Sequence, residues 1–251
     1  MELRKIEKKR YHLLDGLRGI MLILMCLYHA AWDLVYIFNI GTDLFGGTAV
    51  YFMQQFICSG FIMLSGLCWR LSGSIKTHLK NGLIVSICGV IVTLATLRLE
   101  TGARIYFGIL TFMGSAMLIM IPLDKLLCRV NNFVGAAAAL LLFAACKNTA
   151  AGELLFGLIK LPDALYNGMF MTYLGFTDRG FYSADYFGIL PWIFMYIFGY
   201  FISPILIKAD RSVLYTKIPA ADIAGKHSLI VYMLHQPVIY GLLWLIFSRL
   251  E

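Results

Sequence analysis

His29 and Asp33, one helical turn apart, lie in an apolar run near the start of the chain. An imidazole beside a carboxylate is suited to general acid–base work: the carboxylate fixes the tautomer, and the other ring nitrogen takes a proton from a nucleophile. At about 100° per residue, His29 falls within about 20° of Arg18, and Asp33 about 40° further round. Asp15 joins them, so Asp15, Arg18, His29 and Asp33 form one polar stripe on an apolar helix. A rise of about 1.5 Å per residue puts His29 roughly 16 Å along the axis from Arg18. The alternative is a hydrogen-bonded pair that only packs two helices together. An ionisable residue inside a membrane helix is costly and usually faces the protein interior or a water-filled cavity, which favours function.

The last apolar run carries a second stripe. Ser228, Tyr232 and His235 are spaced i, i+4 and i+7, Gln236 follows, and Pro237 removes a backbone hydrogen bond. These residues suit positioning of a substrate or stabilisation of developing charge; a buried structural hydrogen bond is the alternative. Gln55 and Ser59 at i, i+4 read as packing. Asp185, just before Pro191 and Trp192, reads as the outer mouth of a cavity or as a solvated loop carboxylate. No phosphate-cradling glycine loop or metal-ligand spacing is present, so a phosphorylated ligand would fall to Arg10, Arg18 and Arg70. Lys76 and Lys80 read as topology signals.

The elements that carry these residues follow from composition. The 251 residues are 60% hydrophobic and only 14% charged, with a mean hydropathy of +0.79. A soluble domain carries about 25% charge. Apolar runs able to span a bilayer recur at 20–38, 48–69, 82–97, 105–122, 133–146, 186–207 and 228–247. The expectation is an all-α polytopic transmembrane helix bundle of about seven spans, folded as one membrane domain over 1–251. The stretch 150–184 is interrupted by Pro162, Asp163, Gly168 and Asp178. It reads as a loop with short interfacial helices, an eighth span being the other possibility.

Charge sets the orientation. With a cytoplasmic N-terminus and seven alternating spans, the inner segments hold fifteen of the 21 Lys and Arg, as the positive-inside rule asks. An eighth span would put the Lys208–Lys226 cluster outside. The net charge of +7 therefore reads as topology and not as a nucleic-acid footprint. The six cysteines fall in or beside apolar runs with no CxxC pair, which suggests neither a disulfide framework nor a zinc site.

Arg10 and Tyr11, then Asp15, Arg18 and Gly19, nine apolar-leaning residues, and His29 with Asp33 make up a distinctive opening. It resembles that of the heparan-α-glucosaminide N-acetyltransferase catalytic-domain family, within the broader transmembrane acyltransferases. The likeness continues through Phe56-Ile57-Cys58-Ser59-Gly60, the 107–114 segment, the 185–192 segment and Ser228 to Pro237, and so covers nearly the whole chain in order. It implies an acyl-CoA-dependent transmembrane acyltransferase that moves an acetyl or other acyl group from cytoplasmic acyl-CoA to an outward-facing sugar or amino-sugar. His29 is the counterpart of a deep histidine by motif position.

On this reading His29, oriented by Asp33, acts as general base, an acyl-histidine intermediate being a variant. Arg18, Arg10 and Arg70 bind the donor, while Tyr232, His235, Gln236 and Asp185 position the acceptor. The implied partners are the lipid bilayer, acyl-CoA and a carbohydrate acceptor, with no metal, in a multi-pass arrangement in a cell membrane. The competing readings are a transporter or flippase of a glycolipid or small solute, and a non-catalytic membrane subunit.

Overall fold

The computed structural model describes residues 10–41, 47–99 and 103–247. Seven of its helices are long and apolar enough to cross a bilayer. They are α1 (His12–Tyr36), α2 (Thr48–Leu71), α3 (Ile75–Thr96), α4 (Ile109–Leu127), α5 (Asn132–Ala145), α7 (Ile189–Asp210) and α9 (Ser228–Phe247). Two six-residue helices, α6 (Met169–Leu174) and α8 (Ala221–Lys226), lie between spans. At about 1.5 Å per residue, the 19 residues of α4 reach about 29 Å, the thickness of the hydrocarbon layer. The chain is thus an all-α polytopic bundle.

The seven spans fall where hydropathy puts them, and the last agrees at both ends. Other ends differ for physical reasons. The first span starts at His12 and not at 20, because Asp15, buried in the first turn, is bonded by Arg10 and Arg18. The third starts at Ile75 and not at 82, with two polar turns carrying Lys76, His78 and Lys80 ahead of the apolar stretch. The fourth continues through Pro122 to Leu127. The fifth starts one residue earlier, where the Asn131 side chain caps it by accepting from the N–H groups of Phe133 and Val134. A 3-10 turn extends it to Ala151, making a 20-residue span. The stretch 150–184 holds only 3-10 turns, a two-residue hairpin (β1, Glu153–Leu154; β2, Ile159–Lys160) and α6, none long enough to cross.

The fold divides into two compact units. One comprises Met1–Ile57 and Leu206–Glu251; the other comprises Cys58–Ile205. In the second, Ile62, Phe112, Ala116, Met120, Tyr196 and Tyr200 are fully buried. Its helices approach at small residues, as membrane helices do where lipid supplies no hydrophobic drive to pack. A Cβ at Gly66 would overlap the backbone of Tyr196, and one at Gly199 the carbonyl of Met63, so α2 and α7 touch backbone to backbone. Gly114 meets Ser86 on α3 in the same way.

In the first unit α1 is the hub. A Cβ at Gly19 would overlap the Ala221 carbonyl, and one at Gly225 would overlap the Asp15 carbonyl, so α8 presses directly on the first turns of α1. Large apolar side chains on α9, among them Ile230, Leu234, Val238 and Leu242, are exposed. In a bilayer this face is lipid contact and costs nothing.

Candidate active site

The first unit brings most of the expected residues together at two levels of α1. At its N-terminal end Asp15 is buried, 4% exposed. Its two carboxylate oxygens accept from Arg10 Nε at 2.5 Å and from Arg18 Nη1 at 2.6 Å. A carboxylate held between two guanidiniums keeps net positive charge at this end and aims both cations. His12 Nδ1 lies 3.3 Å from Asp222 Oδ2 on α8. Tyr11 stacks on Tyr215 with ring centroids 5.6 Å apart, and Arg211 Nη2 donates to the Tyr11 hydroxyl at 3.2 Å. Sequence reading missed His12, Asp222, Tyr215 and Arg211; for the last three the signal was a cluster of charged and aromatic residues between the last two spans.

Further along α1 the two stripes meet. The His29 and His235 rings lie 4.9 Å apart, centroid to centroid, tilted by 58°. Asp33 is fully buried, and its Oδ1 accepts from Gln236 Nε2 on α9 at 2.8 Å. Here the sequence expectation needs correction. Asp33 does not orient His29: among the described residues its one hydrogen-bond donor is Gln236. Spacing at i, i+4 puts two side chains on one face, but the amide from α9 takes the carboxylate. His235 is oriented instead, its Nδ1 lying 2.5 Å from the Tyr232 carbonyl oxygen. A carbonyl only accepts, so Nδ1 carries the proton and Nε2 keeps its lone pair. Tyr232 also packs its ring 5.2 Å from that of His235. Three buried atoms of this cluster lack a hydrogen-bond partner among the described residues: Asp33 Oδ2, Gln236 Oε1 and His235 Nε2.

Two expected site residues belong to the second unit and are held there. Arg70 donates from Nη1 to Asn132 Oδ1 at 3.1 Å and lies over the Tyr200 ring, 4.5 Å from its centroid. Tyr200 in turn donates to Asp124 Oδ1 at 2.5 Å. Asp185 Oδ2 accepts from the Ile109 N–H at 3.0 Å, tying down the first turn of α4. Burial pushes its carboxyl up to about 6, and the Ile109 hydrogen bond partly offsets that rise.

A helical membrane protein with an imidazole pair, a buried carboxylate and a basic cluster eleven residues before His29 on the same helix would not by itself name a reaction; it defines a polytopic membrane protein with a polar interior site. The family described as heparan-alpha-glucosaminide N-acetyltransferase, catalytic, matches residues 10–237. The chain belongs to that family, and its class is that of a transmembrane acetyltransferase. Comparison with curated proteins and with solved structures gives no match. The matched stretch takes in both levels of α1 and ends at Pro237, one residue past Gln236.

Proposed function

We propose that the protein transfers an acetyl or other acyl group from acyl-CoA, bound at the Arg10–Arg18 end of α1, to a sugar or amino-sugar acceptor at the His29–His235 cluster. The observation that carries this reading is the axial separation on one helix. A paired-arginine site for anionic groups stands roughly 16 Å, at 1.5 Å per residue, from an imidazole pair. A thioester on a long flexible arm bridges such a gap while its phosphates stay with the guanidiniums. The His29–His235 pair handles the acceptor's proton, and Asp33, Gln236 and Tyr232 position the reacting groups. Arg70 and Asp185 are engaged within their own unit, by Asn132 and by the Ile109 N–H. The whole chain acts as one membrane domain, with its N-terminus cytoplasmic, the acceptor on the opposite face, and a bacterial cell membrane as its setting. The positive-inside distribution supports that orientation.

The test is acetyl-CoA turnover by purified protein in detergent, read as free-thiol release, with a panel of amino-sugars and polysaccharides. Release that requires an acceptor and falls on His29→Ala supports the reading. No release, together with no measurable acetyl-CoA binding, refutes it.

A further inference from the structure

We infer that the base which takes the acceptor's proton is His235, through Nε2, and not His29; this rests on the acetyltransferase reading above. Among the described residues, a hydrogen bond fixes the tautomer of one of the two imidazoles. Nδ1 of His235 faces the Tyr232 carbonyl at 2.5 Å, so its hydrogen stays there and the lone pair sits on Nε2. That Nε2 is buried and has no protein partner among the described residues.

Its neighbours say what completes the site. Gln236 must turn its amide nitrogen toward Asp33, because a carboxylate oxygen cannot accept from a carbonyl; Oε1 is then left as an acceptor. The second oxygen of Asp33, in a side chain with 0% exposure, is another. Three buried acceptors of this cluster have no donor among the described residues. Buried acceptors left unsatisfied are costly, so a group suited to this place is one that brings hydrogens. A nucleophilic amine or hydroxyl does so: one hydrogen is directed at His235 Nε2, and the remainder of the acceptor at Asp33 and Gln236.

The step balances. The nucleophile's lone pair forms a bond to the thioester carbonyl carbon while its proton moves to His235 Nε2. The tetrahedral adduct collapses, the C–S bond breaks, and the sulfur leaves with that proton as the free thiol. His235 ends neutral in its starting tautomer, with Nδ1–H still on the Tyr232 carbonyl, which steadies the imidazolium formed in between.

His235→Asn separates the chemical role from a structural one. The asparagine amide nitrogen stands near the place of Nδ1 and can still donate to the Tyr232 carbonyl, while nothing replaces Nε2. With full-length protein, acetyl-CoA and glucosamine as the probe acceptor, the expected result is a kcat at least about 100-fold lower, the scale of general-base catalysis. Acetyl-CoA affinity should stay within about twofold, and free imidazole should restore at least about tenfold of the loss in His235→Ala, as a missing proton acceptor would. Near-wild-type kcat in His235→Asn overturns the proposal while leaving the acetyltransferase reading intact. So does imidazole rescue of His29→Ala in the absence of rescue of His235→Ala. A wild-type protein that does not turn over acetyl-CoA overturns the reading and the proposal together.

Discussion

The Asp33–Gln236 hydrogen bond ties the first and last spans together, and Gln236→Leu should show its worth. Leucine keeps about the same volume and removes only the amide. In membranes an interhelical hydrogen bond averages about 0.6 kcal/mol and reaches about 1.7, since an unfolded helix in the bilayer finds other partners. A bond to a charged group in a soluble protein is worth about 1.5–3 kcal/mol. Asp33 is fully buried, and its Oδ2 already lacks a partner among the described residues, so Gln236→Leu strips the carboxyl of its remaining donor. That places the loss at the upper end of the membrane range, about 1.5–2 kcal/mol. Asp33→Leu alone should cost a similar amount by stranding the amide. The double variant, with both polar groups gone, should be destabilised by less than the sum of the two, with a coupling of at least about 1 kcal/mol. Unfolding the four proteins in mixed micelles of rising SDS content gives the cycle. Losses that add to within about 0.3 kcal/mol would show that the bond contributes nothing, and the reasoning would fail.

Gly19→Ala should lower stability by about 1–3 kcal/mol, because the new methyl meets the Ala221 backbone rather than a side chain that can turn away; thermal unfolding in detergent reads it. Tyr200→Phe should cost about 1–2 kcal/mol by removing the donor to Asp124 while keeping the ring under Arg70, measurable by the same unfolding. Asp185 has a folded pKa raised to about 6, so between its ordinary value and 6 the folded chain holds a proton the unfolded chain has lost. Stability from this group therefore falls as pH rises through that window and stays lower above it. Asp185→Asn keeps an acceptor for the Ile109 N–H without a charge, so its stability relative to wild type should rise from pH 4 to pH 7. The gain is about 1–2 kcal/mol once partial exposure is allowed for, and unfolding midpoints at the two pH values measure it.

Hydropathy located all seven spans because each helix must present an apolar surface to lipid over a fixed length, a local property of the chain. It failed where charges cancel locally. The apolar run starts at 20 because Asp15 and Arg18 lower the hydropathy ahead of it, yet Arg10 and Arg18 close on the one carboxylate and the helix begins at His12. The polar stripes were legible because 3.6-residue periodicity puts Arg18, His29 and Asp33 on one side of α1, and Tyr232 and His235 on one side of α9. Which helix each stripe faces is a long-range matter. Gln236 reaches Asp33 across 203 residues of sequence, and no spacing within α1 could reveal that it would displace His29 as the carboxylate's partner. Asp185 was hidden in the same way: it secures the start of a helix 76 residues earlier in the chain.

That same 203-residue separation has a consequence for biogenesis. The first span enters the membrane with Asp33 in it, and the amide that will satisfy the carboxyl has yet to be made. At about 5–20 residues per second the ribosome needs about 10–40 s to reach Gln236. Through that interval the helix carries an aspartate three residues from its C-terminal end, where insertion costs less than the ~2.5–3.5 kcal/mol of a mid-membrane site. A carboxyl so near the helix end can stay close to the interface until the last helix arrives. A nascent chain halted before residue 236 should present a loosely inserted first helix. The Asp33–Gln236 bond is thus a late event in synthesis, formed only once the last span has been made.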